Sequence, residues 1–198
     1  MSATHPEQVS TPTPDTTWRT RDIVVTAVIG AAFGVVFWVW GLLWYGPFAV
    51  LGGLALPVLD LGYAVWLIPA VLAPLIVRKP GAAVFAEMMA AVISALLGTP
   101  WAIDTLLSGF VQGAAAEIVF AMTLYQRWTF PVLAAAAVAS AAAAWIHDWV
   151  IYWSEVDPVY QIIRGVFMAI SAVVIVAGGS LVLHRSLKRA GVLEGFPD

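Results

Sequence analysis

The chain has 198 residues, of which 62% are hydrophobic and 11% charged, and its mean hydropathy is +0.91. Too little polar surface remains to cover a soluble domain, so the chain reads as an integral membrane protein. The net charge of −3 and the lack of a basic run give no footing for a nucleic-acid partner, and the absence of cysteine excludes disulfides, thiolate metal sites and Cys nucleophiles.

A helix needs about 20 apolar residues to span a bilayer, and that length divides the chain. Met1 to Thr17 is polar and rich in Thr and Pro, with no cleavable signal. Residues 1–20 are expected to form a disordered cytoplasmic tail, residues 21–190 the membrane domain and residues 191–198 a second cytoplasmic tail. The first span runs from about Asp22 to Trp44. Tyr45 to Leu59 is apolar but broken by Gly46-Pro47, Gly52-Gly53 and Pro57, and reads as a loop or short re-entrant helix against the bundle. The second span runs from Asp60, a candidate N-cap, to Val77, and the third from Pro80 to Gly98. Thr99-Pro100 reads as the cap and first residue of the fourth, which ends near Gln126. Pro131 opens the fifth span, to about Trp153, and Asp157-Pro158 opens the sixth, to about His184. The expected fold is all-α: a polytopic bundle of six transmembrane helices.

Six spans with a cytoplasmic N-terminus put every Lys and Arg except Arg164 at one end: Arg19, Arg21, Arg78, Lys79, Arg127, Arg185, Lys188 and Arg189. The positive-inside rule makes that end, and both termini, cytoplasmic. The opposite end collects Asp60, Asp104, Glu155 and Asp157 together with eight of the ten Trp residues, all but Trp18 and Trp128. An interfacial aromatic belt would populate both faces. The asymmetry therefore predicts an extracytoplasmic cavity whose aromatic faces stack on a flat ligand and attract a cation.

Polar groups inside the spans are the next signal, because each needs a partner in the bundle interior. They are Glu87, Gln112, Glu117, His147, Asp148 and Arg164. Helical spacing puts Asp104, Ser108 and Gln112 on one face, and Trp145, Asp148, Trp149 and Tyr152 on another. Gly109 and Gly113 form a close-packing seam. Arg164 is expected to be neutralised by Asp148 or Glu155. His147 has no second His at i+3 or i+4, so no metal site is predicted, and no cofactor either. The candidate cavity residues are Glu87, Gln112, His147 and Asp148 with Trp44, Trp145 and Trp149. The chain has no phosphate-binding Gly-Lys-Ser/Thr loop, no nucleophile motif and no inverted repeat with broken helices, so transport would need an energy source outside it.

The small-residue run Ala27-Val28-Ile29-Gly30-Ala31, the broken loop after the first span, the stretch from Lys79-Pro80-Gly81 to Glu87, and Gln112-Gly113 to Glu117 resemble the YkoE-type substrate-binding (S) components of energy-coupling factor vitamin transporters. The likeness covers about Arg21 to Arg189. It implies a bacterial plasma-membrane protein that binds thiamine or its hydroxymethylpyrimidine precursor from outside. It also implies partners: a transmembrane coupling (T) subunit, docked at Ala27 and Ala31, and two ABC-type ATPases. Glu87 and Gln112 match polar positions of the family's motif stretches. Two other classes stay open on the residues alone: a stand-alone Trp-rich sensor or binding protein, and an intramembrane enzyme using Glu87, Glu117 or His147-Asp148 as acid and base.

Overall fold

A computed structural model describes residues 16–46, 48 and 58–196. The expected tail up to Asp15 and most of the broken segment between Tyr45 and Leu59 lie outside the described residues. Among those residues there are no strands and six helical segments: α1 (Thr20–Tyr45), α2 (Asp60–Val77), α3 (Ala82–Leu96), α4 (Asp104–Met122), α5 (Phe130–Ile151) and α6 (Pro158–Arg189). Five are long and apolar enough to cross a membrane; α3, at 15 residues, is shorter than a full span.

α2 is the centre of the bundle. Of its span 72% is buried, against 22% for α1 and 28% for α4. Its first part, Asp60–Leu67, is wound as a 3-10 helix, and every residue of the α-helical part Pro69–Val77 is buried. The sequence explains this: that part carries no charge and no hydrogen-bonding side chain, so it can be enclosed on all sides. α3 packs between α1 and α4, and the contacts depend on small residues. A Cβ on Gly30 or Gly34 of α1 would come within 2.5 Å of Met89 or Ile93 on α3, and one on Gly109 of α4 within 2.8 Å of Ala91. The predicted Gly109/Gly113 seam is therefore the α3–α4 interface.

Local signals set several ends. Asp157 caps α6, its Oδ1 accepting from the Val159 amide at 2.8 Å. Arg19 N–H donates to the buried Asp22 carboxylate at 3.0 Å to open α1. Two expected caps are corrected. The fourth helix starts at Asp104, not at Thr99-Pro100, because Thr99 to Ile103 folds into successive turns in which the Ala102 amide returns to Thr99 O and the Asp104 amide to Trp101 O. Asp60 is not a cap either; its carboxylate is turned to Arg164.

Glu117 closes the end of the bundle at which α1 begins and α6 ends. Its carboxylate accepts from the Gly81 and Ala83 amides at 2.6 and 2.9 Å, tying the first turn of α3 to α4, where orphan N–H groups and the helix dipole favour an anion. Tyr125 O–H donates to the same carboxylate at 2.8 Å. At this end the Trp18 indole also donates to Pro80 O at 3.0 Å. Residues beyond α6 fold back against the first turn of α1: Leu193 is buried, and the Arg21 guanidinium lies 4.7 Å from the Phe196 ring centre. All eight basic residues outside Arg164 belong to this end.

Candidate ligand-binding cavity

At the opposite end, the C-terminal half of α1, the 3-10 turn of α2, α3, the first turns of α4 and the segment around the α5–α6 turn enclose a cavity of about 460 Å³. Its volume falls within the ~300–1,000 Å³ usual for small-molecule sites. One wall is aromatic. Trp44, Tyr63 and Trp66 pack edge to face with centroid distances of 5.1–6.4 Å, and Trp101 continues the row 5.5 Å from Trp66. Locked edge-on, these rings present a rigid apolar surface, suited to a flat ligand and to a cation over a ring face.

The other wall is polar. Glu87 is completely buried on α3, and neither carboxylate oxygen makes a hydrogen bond of normal geometry; the polar group that faces it is the Ala70 backbone of α2. A buried acid in this condition carries its full desolvation cost, which a ligand donor would relieve. Thr105 Oγ1, also on the wall, is likewise buried without a partner. On α4, Gln112 donates to Ser108 at 2.6 Å.

A second acidic group stands where α4 meets α5. His147 sits between two carboxylates, its Nδ1 at 3.0 Å from Asp148 Oδ1 and its Nε2 at 3.2 Å from Asp104 Oδ1. Tyr152 O–H donates to Asp104 Oδ2. Burial, and after it this bond to a carboxylate, push the Tyr152 phenol well above its ordinary value, so it remains a donor throughout the physiological range. The third polar group is the ion pair of Asp60 and Arg164. Arg164 Nε and Nη2 donate to the two Asp60 oxygens at 2.9 and 3.1 Å. The expected partners Asp148 and Glu155 are not the ones used: Asp148 is engaged by His147, and Glu155 is exposed.

Of the seven residues expected to line one cavity, four do: Trp44, Glu87, Gln112 and Asp148. His147 stands behind the wall, holding Asp104 and Asp148 in place. Trp145 and Trp149 are turned away. The Trp145 indole donates to Gln161 O at 2.9 Å, its ring fills the place a side chain on Gly165 would take, and Trp149 packs on it at 5.1 Å. The helical wheel accounts for this, since on α5 Trp145 and Trp149 lie about 60–100° round from Asp148, whereas Tyr152 lies about 40° from it. Asp60, Tyr63, Trp66, Trp101, Asp104, Tyr152 and Arg164 also line the cavity; of these the sequence placed Asp60, Trp66, Trp101 and Asp104 at the cavity's end of the bundle without singling them out. Asp104 and Tyr152 were within reach, since each shares a helix face with a chosen residue.

Residues 21–143 match the family model described as an ABC-type cobalt transport system, permease component. A Bacillus subtilis (strain 168) protein named as a putative HMP/thiamine permease, YkoE, is 34% identical over 181 residues, covering 90% of this chain and 89% of that protein. A crystal structure of an S-component of an ECF transporter superposes with a TM-score of 0.83 at 33% identity, covering 90% of each chain.

Proposed function

Because the chain belongs to the family of YkoE-type S components of energy-coupling factor transporters, we propose that it captures thiamine, or the hydroxymethylpyrimidine precursor of its pyrimidine half, from the extracytoplasmic side. Family members are multi-pass plasma-membrane components of transport systems and not enzymes. The chain's task in this reading is recognition and delivery, and the energy comes from a T subunit and two ABC-type ATPases.

The observation that carries the ligand reading is Glu87: a fully enclosed carboxylate, neither oxygen in a hydrogen bond, in the polar wall of a cavity whose facing wall is aromatic. An aminopyrimidine offers the N–H donors such a carboxylate lacks, and a flat ring to lie against Trp44, Trp66 or Trp101. The thiazolium of thiamine adds a positive charge, which suits both the indole faces and the Asp104/Asp148 carboxylates. The name carried by the Bacillus subtilis relative points to the same two compounds.

The test is equilibrium binding by the purified protein, followed by calorimetry and by quenching of its Trp fluorescence, against thiamine, hydroxymethylpyrimidine and a panel of other vitamins. Saturable binding of one of the first two is expected. Binding of neither, by protein that is folded and monodisperse, removes the reading.

A further inference from the structure

Resting on that ligand reading, we infer that the Asp60–Arg164 pair is a specificity device: it withdraws the cavity's cation from the ligand and so excludes phosphate esters of the compounds the cavity accepts. Among the described residues lining the cavity, four are acidic (Asp60, Glu87, Asp104 and Asp148) and one is basic, Arg164. An arginine in an aromatic pocket is a ready-made phosphate site, because its planar fork matches two phosphate oxygens. Here the Nε/Nη2 edge of that fork is already taken by a carboxylate.

All three guanidinium nitrogens are engaged: Nε and Nη2 by the two Asp60 oxygens, and Nη1 by Gln161 Oε1 at 3.2 Å. The guanidinium carbon lies 4.9 Å from the centre of the Trp153 ring, so one of its faces is covered as well. Gln161 is fixed in turn by donating through Nε2 to Trp153 O at 2.8 Å. Both charged side chains are nearly fully buried, at 5% and 2% exposure. Displacing Asp60 would strand a buried carboxylate in a wall that is already acidic, which is strongly unfavourable. A phosphate ester, bringing about two negative charges, would therefore face the Asp104 and Asp148 carboxylates, with no unpaired Lys or Arg among the described residues lining the cavity to receive it. The corresponding free alcohol brings no such charge.

Calorimetry of thiamine and thiamine monophosphate with the purified full-length protein, its Asp60→Asn variant and the double variant Asp60→Asn/Arg164→Gln tests the inference. The unsubstituted protein is expected to prefer thiamine by about a hundredfold or more, the scale of like-charge juxtaposition in a buried site. Asp60→Asn, which frees the guanidinium fork, is expected to narrow that preference about tenfold or more by gaining affinity for the ester. The double variant, with no cation to free, is expected to discriminate as the unsubstituted protein does. Equal affinity of the unsubstituted protein for the two compounds overturns the inference. So does a folded Asp60→Asn variant that keeps the whole preference, or a double variant that loses it. If Asp60→Asn does not fold, the unsubstituted protein and the double variant decide alone. Failure of the unsubstituted protein to bind either compound overturns the ligand reading instead.

Discussion

Glu87 reaches the cavity because Gly113 has no side chain. A Cβ on Gly113 would stand 3.1 Å from the Glu87 Cβ, 2.9 Å from the Val84 Cα and 3.1 Å from the Ala83 carbonyl oxygen. Two of those three neighbours are backbone, so they cannot swing aside. Gly113→Val is therefore expected to push α3 off α4, at an overpacking cost of about 1–3 kcal/mol, and to displace Glu87 with it. Thermal unfolding in detergent should show a lowered Tm, and calorimetry a weaker vitamin affinity. An unchanged Tm and affinity would mean that the two helices part without cost.

Glu87→Gln separates recognition from stability. In the free protein the carboxylate is buried and makes no hydrogen bond of normal geometry, so replacing it with the uncharged amide relieves desolvation cost and is expected to raise the Tm of the unliganded protein. The same change removes a charge-assisted hydrogen bond from the complex, expected to weaken binding by about 1.5–3 kcal/mol. The two opposite signs in one variant are the signature of a ligand-directed acid. A Glu87→Gln protein that is destabilised and binds normally would instead make Glu87 a packing residue.

How much of this was legible in the sequence depended on range. Periodicity and apolar run length gave six segments, and the i, i+4 spacing of Gly109 and Gly113 gave a close-packing seam on α4, because both signals are local. The Asp157-Pro158 cap was legible for the same reason. The partner of Arg164 was not. Asp60 lies 104 residues away, and a helical wheel gives an angle on one helix without saying which neighbour lies opposite. The same limit misplaced Trp145 and Trp149: they share the half of α5 that holds Asp148, but that half is divided between the cavity and the packing of α5 on α6. Glu117 shows the ambiguity of an acid in a span, since only the fold reveals that it caps a neighbouring helix rather than meeting a ligand.

That division of α5 makes a contrast between indoles. Trp66 lines the cavity and packs on Trp44 and Trp101; Trp149 packs on Trp145 away from it. Trp66→Ala is expected to weaken binding of a cationic ring ligand by about 1–2 kcal/mol. Trp149→Ala should leave affinity close to that of the unsubstituted protein. Calorimetry on the two variants checks this, and the reverse ranking would move the site to the α5–α6 face.

The chain contains no cysteine, so its orientation can be read with single introduced thiols. Ser186, near the end of α6, and Glu155, in the α5–α6 turn, are both exposed and stand at opposite ends of the bundle. With the basic end inside, a cysteine at Ser186 should be shielded from a membrane-impermeant reagent in intact cells, while one at Glu155 should react. Reaction of the Ser186 variant from outside would turn the bundle over and point the cavity towards the cytoplasm.

Delivery needs a surface as well as a cavity, and α1 divides its small residues between two tasks. Gly30 and Gly34 are buried against α3, where any side chain would collide with Met89 or Ile93. Ala27 and Ala31 are only half-buried, on the border between that seam and the exposed stripe of Val24, Val28 and Val35. A helix from another subunit could approach closely there without disturbing α3, since small side chains let backbones come together within a membrane. Ala27→Trp and Ala31→Trp are therefore expected to leave vitamin affinity nearly unchanged while abolishing uptake and co-purification with the T subunit. Gly34→Trp, by contrast, should lose binding and fold together. If the alanine variants lose binding yet still assemble with their partners, Ala27 and Ala31 belong to the same internal seam as the glycines, and the docking face must lie elsewhere on the bundle.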